Sequence, residues 1–292
     1  MKHLSQNLGE LIKDLRQQAG VSQKELCKEI CSQSEISKIE SGKILPTIYI
    51  LMGISSKLGV EPSYFFNQLT KKQFDIIYNV KNEIRNHVHE KNYKKVKTLV
   101  DKYENHSSFQ TIEERQFILW HKGIIEYYLH NNLKHSLCFL EESLRTRESL
   151  KHNIQDIHIL NSLAVIHSET GQYLEAIDLF KLALRYYFGL NSNIDYKIYN
   201  KLCYNISKPL ISNKNYKEAL TYCELGVKNC LETHSNYLLG GLYYQQGYIY
   251  SLKQEYQKSL ENFTKAHTLF TITNKKLFAA KTLEKIKNQG PI

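Results

Sequence analysis

SQKELCKEICSQSEISKIESG, residues 22–42, is the stretch that decides the fold of the N-terminal part of this chain. It contains two capping boxes, Ser22-x-x-Glu25 and Ser32-x-x-Glu35. In such a box the serine side chain accepts an amide N–H and the glutamate accepts the serine's own N–H. The boxes therefore predict one short helix after Ser22 and another after Ser32. Gly42 is predicted to end the second helix, where a residue without Cβ is favoured.

The two short helices have the apolar spacing of a helix-turn-helix. Leu26 and Ile30 give the first helix a buried side, and Ile36 and Ile39 do the same for the second. In this motif the second helix enters the DNA major groove. Its outer face carries side chains that can bond base edges, namely Gln33, Ser34, Ser37 and Lys38. Phosphate contacts are predicted for Gln23 and Lys43. Two solvated helices of an ordinary bundle are the alternative interpretation.

Further helices are predicted on both sides of the motif. Apolar residues at i, i+3, i+4 and i+7 predict an amphipathic helix before it, at Leu8, Leu11, Ile12 and Leu15. Another is predicted after it, at Ile50, Leu51, Ile54 and Leu58. We expect a five-helix DNA-binding domain over residues 1–67, which resembles the Cro/repressor-type domain. In that comparison the turn at Cys31-Ser32 is one residue shorter and lacks the customary glycine. The matching residues are Arg16, Gln23, Glu25, Leu26, Ile36, Ile39, Glu40, Gly42, Pro46 and Leu58.

Length and composition predict an all-α, two-domain, cytoplasmic protein. The 292 residues include only four prolines and thirteen glycines, which favours helices. No run of 18 apolar residues is present to cross a membrane, and the N-terminus lacks an apolar signal core. The six cysteines are expected to be reduced, and the absence of a C-x-x-C pair disfavours zinc. No metal, cofactor or catalytic residue is predicted, because phosphate-binding, metalloprotease and serine-hydrolase motifs are missing and the histidines are scattered.

The net charge of +10 fits a nucleic-acid partner, but the basic residues are unevenly distributed. Residues 1–67 hold eight Lys or Arg and seven Asp or Glu, so nearly all of the excess charge lies beyond residue 67. DNA affinity is therefore expected to depend on a few phosphate contacts and on dimerisation. The dense lysines and arginines between Lys71 and Lys102 fit a solvated face as well as a binding patch.

The remainder of the chain is built from repeats. Five related segments, KNYKKV, NNLKHS, GQYLEA, KNYKEA and QEYQKS, are spaced by 40, 40, 43 and 40 residues. Such a period predicts a helical solenoid and resembles the tetratricopeptide repeat with longer connections. Each segment ends at a position where two helices should cross closely: Val96, Ser136, Ala176, Ala219 and Ser259.

We assign residues 68–79 to a linker helix and residues 80–292 to the repeat domain, which is expected to bind a peptide and to dimerise. A capping helix is predicted from Asn274 to Lys287, with Leu277, Ala280 and Leu283 as its packing residues. Pro209 predicts a kink or a break inside one repeat.

The inner helices of such a solenoid form a groove that suits an extended peptide. Asn161, Asn205 and Gln245 precede the repeat positions by 15, 14 and 14 residues, so they recur on successive inner helices. We predict that their amides bond a peptide backbone. Each of them being a single exposed polar residue is the alternative.

The combination of these two domains resembles the RNPP family of peptide-responsive regulators. The similarity depends on the chain length and on the segments CSQSEISKIESG, GQYLEAIDLF and LYYQQG. It implies a homodimer that binds double-stranded DNA at two half-sites, activates transcription and is controlled by a short signalling peptide. Phe66, His89 and Lys91 also fall at peptide-binding positions, although a family member has lysine in place of His89. A regulator whose repeats bind a protein, such as a phosphotransfer protein, remains the alternative.

The implied mechanism is a dimer whose arrangement a ligand biases. Two half-sites in adjacent turns of DNA lie ~34–36 Å apart. A peptide bound across several repeats would change this spacing through the linker helix, provided that it binds one arrangement more tightly than the other.

Overall fold

Helices make up the whole of the regular structure in the computed structural model, which describes residues 2–147, 151–190 and 195–288. The described part contains fifteen α-helices, one short 3₁₀ helix and no strand. The all-α prediction is therefore confirmed. By its contacts the chain divides into two compact units, Met1–Glu90 and Lys91–Ile292. None of the described helices combines the length and apolarity that crossing a membrane requires.

The first unit is the predicted five-helix domain, extended at its C-terminal end. Its core is formed by Leu8, Ile12, Leu26, Cys27, Ile36, Ile39, Leu51, Ile54 and Phe65. The last helix begins with a proline at its first turn, where no N–H is needed, and then continues for 28 residues. The predicted boundaries at residues 67 and 79 therefore lie inside one continuous helix. The helices are α1 (Lys2–Gln18), α2 (Gln23–Cys27), α3 (Gln33–Glu40), α4 (Ile48–Leu58) and α5 (Pro62–His89).

The capping serines start α2 and α3 at the predicted residues. Ser22 forms a complete capping box with Glu25, in which both bonds are present. Ser32 Oγ accepts the Glu35 N–H at 3.2 Å, but the Glu35 carboxylate makes no return bond, so the second box is only half formed. This part of the prediction was wrong because a carboxylate on the exposed first turn of a helix can remain solvated instead.

The ends of α2 and α3 are closed in different ways. After α3, Gly42 adopts φ +69°, and the Lys43 N–H bonds the Lys38 carbonyl in a Schellman arrangement. After α2 the left-handed position is taken by Glu29, with φ +64°, in place of the customary glycine. The Lys57 ammonium donates to the main-chain carbonyls of residues 25 and 28, so α4 supplies the cap that the short turn lacks.

The second unit consists of antiparallel helix pairs that stack side by side. The five residues predicted at close crossings are all completely buried. Two of them are serines that bond across the pair: Ser136 donates to the Gly123 carbonyl and Ser259 to the Gly247 carbonyl, each at 2.7 Å. The helices are α6 (Tyr93–Tyr103), α7 (Ile112–Tyr128), α8 (Leu133–Arg145), α9 (Ile154–Glu169), α10 (Tyr173–Gly189), α11 (Tyr196–Ser212), α12 (Tyr216–Glu232), α13 (Leu239–Leu252), α14 (Tyr256–Ile272) and α15 (Lys276–Lys287).

In each repeat the turn between the two helices contains a residue in the left-handed conformation. It lies five positions before the residue at which the two helices cross closely. Only one of the five turns uses glycine there, so the others hold a side chain at positive φ. The next residue caps the following helix, and in three turns it is an asparagine whose side chain accepts an N–H of the first turn. The left-handed residues are Lys91, Asn131, Gly171, Lys214 and Gln254, with φ of 58°, 53°, 83°, 61° and 61°.

Two details of the repeats bear on the predictions for this unit. Of the kink or break predicted at Pro209, the break does not form: α11 continues to Ser212, and Pro209 itself is buried. The capping helix α15 forms, but its predicted packing residues do not pack: Leu277 is 79% exposed and Leu283 is 37% exposed, and Ala280 is exposed as well. The buried residue is Thr282, whose hydroxyl is satisfied by the carbonyl four residues earlier.

Candidate functional site

The recognition helix α3 presents a polar face to solvent. Ile36 and Ile39 are buried at 0% and 1% exposure, and they anchor the opposite face in the core of the first unit. Because the helical period separates the two faces, positions on the side of α3 opposite these isoleucines project outward. All four residues predicted to bond base edges are exposed: Gln33, Ser34, Ser37 and Lys38.

A hydrogen-bonded network holds α3 in place. The Arg16 guanidinium on α1 donates to both carboxylate oxygens of Glu40, at 2.6 Å from Nε and 2.9 Å from the terminal nitrogen. It also donates to the Val21 carbonyl at 2.9 Å. The Gln23 amide on α2 donates to the same carboxylate at 2.8 Å. One carboxylate therefore joins three helices and sets the rotation of the recognition helix.

The network shifts the pKa values of its two charged residues, Glu40 and Arg16. Burial alone would raise the pKa of Glu40, but the hydrogen bonds from Arg16 and Gln23, together with the charges of Arg16 and Lys13, outweigh it and lower that pKa. The hydrogen bond to Glu40 raises the pKa of Arg16. The pair therefore stays ionised at neutral pH.

The two residues predicted to contact phosphate differ in their surroundings. Lys43 is exposed just beyond the end of α3. Gln23 is half-buried, and its amide donates to Glu40, so its main contribution in the structure is to position α3. The resemblance to the Cro/repressor-type domain includes Arg16, Gln23 and Glu40. Only the structure shows that the Arg16 and Gln23 side chains both hydrogen-bond the Glu40 carboxylate.

The three predicted amide residues lie on the first helices of successive repeats and are all buried. Asn161, Asn205 and Gln245 lie on α9, α11 and α13 and are 6%, 9% and 8% exposed. The Asn205 amide donates to the Asn161 side-chain oxygen at 2.8 Å, across two helices. Gln245 hydrogen-bonds the side chain of Tyr204 on α11. Asn161 and Asn205 therefore form one hydrogen-bonded pair, Gln245 bonds a tyrosine of the neighbouring inner helix, and none of the three is a single exposed residue.

Two adjoining cavities open from this groove beside the capping helix. They share Tyr244 and Gln245 on α13. The larger one, of about 370 Å³, is lined by Lys208, Ile211, Ser212, Tyr244, Gln245, Tyr248 and Lys285. The other, of about 280 Å³, is lined by Tyr204, Leu238, Gly241, Tyr244, Gln245, Phe270, Lys275, Phe278, Lys281 and Thr282. These lysines and tyrosines were not predicted from the sequence, although Tyr204 and Tyr244 precede their repeat positions by 15 residues, as Asn161 does.

The three remaining predicted peptide contacts are distributed over the last helix of the first unit and the first residue of the second. Phe66 and His89 are on α5 in the first unit, where Phe66 is 53% exposed and His89 is exposed. Lys91 is the first residue of the second unit and is also exposed. Its positive φ places it at the left-handed turn position that recurs in every repeat.

Metal and thiol chemistry find little support in the described part of the chain. There, no group of three or more His, Cys, Asp or Glu side chains is arranged to hold a metal ion. All six cysteines are unpaired. Burial raises the pKa of Cys203 and of Cys223 to about 12 and that of Cys230 to about 11, which makes them poor nucleophiles at neutral pH.

The chain matches two protein families and several solved structures. It matches the RNPP family C-terminal domain over residues 81–289 and a helix-turn-helix family over residues 12–65. It is similar to PlcR of Bacillus thuringiensis in complex with the peptide PapR7 and DNA, with 28% identity, coverage of 95% of this chain and 99% of that one, and a TM-score of 0.69. Against PlcR in its apo form the identity is 26%, the coverage 96% and 99%, and the TM-score 0.74.

A more distant similarity supports the fold alone. The competence regulator ComR of Streptococcus vestibularis in complex with its signalling peptide XIP shares 17% identity, with coverage of 99% of both chains and a TM-score of 0.60. A search among curated proteins finds no match. The matched family consists of regulators, which confirms that this chain is not an enzyme. Because the match to the C-terminal domain covers well over half of the residues, the chain belongs to the RNPP family.

Proposed function

We propose that this chain is a cytoplasmic DNA-binding regulator whose homodimer activates transcription under the control of a short signalling peptide. One observation carries the proposal: an exposed recognition helix and a groove floored by side-chain amides occur in a single chain. Similarity over 95% of the chain to a protein solved with both a peptide and DNA supports this combination.

The exposed face of α3 is suited to reading base edges. Gln33 has an amide that can pair with adenine, the serine hydroxyls bond either donors or acceptors, and Lys38 suits guanine. With a net charge of only +1 over residues 1–67, one domain by itself would bind DNA weakly. A homodimer that reads two half-sites supplies the missing affinity.

The groove floor is suited to an extended peptide backbone. Asn205 uses an amide hydrogen and Asn161 uses its oxygen in their mutual bond, at 2.8 Å. This leaves an N–H donor on Asn161 and the side-chain oxygen acceptor on Asn205. One donor beside one acceptor matches the carbonyl and N–H that a peptide residue presents.

The connection between reader and groove is a single helix. The 28 residues of α5 correspond to a rod of about 42 Å that begins in the DNA-binding domain and ends at the first repeat. We propose that peptide binding changes the spacing of the two readers through this helix. The peptide can do so only by binding one arrangement of the dimer more tightly than another.

The proposal is tested with purified full-length protein and a random duplex library, with and without synthetic peptides from small secreted reading frames near its gene. We expect one peptide to tighten or sharpen sequence-specific binding. Gln33→Ala and Lys38→Ala should each weaken specific binding about tenfold or more, because each removes a base-edge contact. Lys28→Ala is the control, since it removes an exposed lysine of the same domain outside α3.

Two results would contradict the proposal. If neither α3 variant changed affinity or sequence preference, the assigned reading face would be wrong. If specific binding ignored every peptide while the repeats captured a folded protein, the regulator would belong to the protein-responsive class.

A further inference from the structure

The cavities beside the groove carry an excess of positive charge. Lys208 and Lys285 line the larger cavity, and Lys275 and Lys281 line the smaller one. Among the described residues that line either cavity there is no aspartate or glutamate. Four cations around two connected cavities, with no acid in the walls, form a site that favours an anion.

Lys208 is held in this site by the fold. It lies on the inner face of α11, one turn beyond Asn205, and its ammonium lies 4.3 Å from the centre of the Tyr204 ring. Burial lowers the pKa of Lys208, the charge of Glu169 opposes this shift, and the charge of Lys91 adds a smaller lowering. An anionic ligand in this cavity would offset the desolvation of the ammonium.

Two acids that do not line the cavities act on their walls, Glu169 on Lys208 and Glu284 on Tyr244. Glu169 at the end of α9 acts on Lys208 in the opposite sense and raises its pKa. Its carboxylate accepts a hydrogen bond from the Tyr128 hydroxyl at 3.0 Å. In the described part of the structure Lys208 forms no ion pair within 4.0 Å. The pKa of Lys208 is lowered overall, so the charge of Glu169 does not fully offset the burial of the ammonium.

A second lysine of α11 extends the cationic strip. Lys201 precedes Asn205 by one turn on the same helix and is half-buried. Burial lowers the pKa of Lys201, and no carboxylate in the described residues lies within ion-pair distance of it. Since α11 thus carries a lysine on either side of its groove amide, an anion bound near Asn205 meets positive charge in both directions along the helix.

We propose that the groove selects an anionic peptide, one carboxylate of which binds in the larger cavity between Lys208 of α11 and Lys285 of the capping helix. The hydroxyls of Ser212 and Tyr248 line the same cavity and can donate to that carboxylate. Charge-assisted hydrogen bonds of this kind are about twice as strong as neutral ones. The capping helix would then form part of the ligand site besides closing the solenoid. This inference deepens the proposed function and depends on it.

The carboxylate can come from an aspartate or glutamate side chain or from the C-terminus of the peptide. Three synthetic heptapeptide mixtures separate these sources: one with all residues and a free C-terminus, one lacking Asp and Glu, and one amidated at the C-terminus. Each is incubated with the full-length protein, and the retained peptides are identified by mass spectrometry. Their affinities are then measured by titration.

We expect acidic peptides to be enriched, and Lys208→Gln and Lys285→Gln each to weaken their binding about tenfold. The matched control is Lys228→Gln on the outer helix α12, an exposed lysine outside the groove, which should leave binding unchanged. Circular dichroism of each variant verifies that the helices are intact. Loss of binding on amidation assigns the C-terminal carboxylate, whereas loss with the acid-free mixture assigns a side chain.

The two proposals fail in different ways. If peptides are retained equally from all three mixtures, and if Lys208→Gln has no effect, then the anionic specificity is wrong while the peptide-binding function stands. If no peptide is retained from any mixture, the proposed function fails and the charge selectivity fails with it.

Discussion

A single carboxylate, that of Glu40, decides how the recognition helix is presented. It is 6% exposed and accepts bonds from Arg16 on α1 and Gln23 on α2 while it sits at the end of α3. Its burial is tolerated because the bidentate guanidinium and the amide replace the lost water. The exposed reading face thus depends on a residue that points away from it.

Glu40→Gln should destabilise the first unit by about 3 kcal/mol, because the Arg16 charge would remain buried without its partner. Hydrogen exchange of peptides from residues 1–67 measures this loss, and the exposed Glu10→Gln is the control. Since the pKa of Glu40 is lowered on folding, its contribution is complete above the pKa of the unfolded carboxyl, ~4.3, and is lost as the pH falls through the lower folded value. An equal acid sensitivity of wild type and Glu40→Gln would contradict this assignment.

Among the secondary-structure elements, the repeats share one type of turn. The conformational free-energy cost of this turn is set by its backbone. Four of the five left-handed positions carry a side chain, and only the third repeat uses glycine, at Gly171 with φ +83°. A Cβ at Gly171 would meet no atom within 4 Å, so its only penalty is the conformation. The recurring asparagine caps compensate for part of this cost in the neighbouring turns.

Gly171→Ala should therefore lower the free energy of unfolding by about 1 kcal/mol, because alanine is strained at positive φ. Lys214→Gly, at the same turn position of the next repeat, should have the opposite sign. Urea unfolding followed by circular dichroism measures both changes. As the control, Gly189→Ala lies at the end of α10 with open space around it and without positive φ, and it should not destabilise the protein. Equal losses at Gly171 and Gly189 would show that the turn conformation is not the cause.

For the whole molecule, the proposed function requires two readers on one DNA duplex. The excess of positive charge lies outside the reader, so a single DNA-binding domain has little electrostatic affinity of its own. The 28-residue α5 gives each reader a stiff connection to its repeats. A ligand that changes the repeats can then act on DNA binding through geometry, without touching the DNA.

Insertion of 5 base pairs between the two half-sites of the selected operator should reduce affinity at least tenfold, because it places them on opposite faces of the duplex. Insertion of 10 base pairs returns the two half-sites to the same face of the duplex and serves as the control for the added length. Electrophoretic mobility shifts with the full-length protein and its peptide measure both. If the 5-base-pair insertion had no effect, the two half-sites would not be bound by one rigid dimer.

The local features were predictable because they depend on residues a few positions apart. The caps at Ser22 and Ser32, the end of α3 at Gly42 and the outward face of α3 all follow from spacings of three and four residues. The solenoid followed from small or apolar residues recurring every 40 to 43 positions. The packing face of α15 was predicted wrongly because its apolar residues face solvent and a threonine packs inward.

The sequence by itself determined the two kinds of helical domain, the exposed polar face of α3 and the family, since each follows from local periodicity or from a recurring motif. The tertiary structure decided which other residues those side chains contact. The Arg16–Glu40 pair joins residues 24 positions apart, and Asn161 meets Asn205 across 44. The cationic cavity brings Lys208 to Lys285 across more than seventy. Such long-range contacts depend on how whole helices stack, and no local pattern of side chains encodes them.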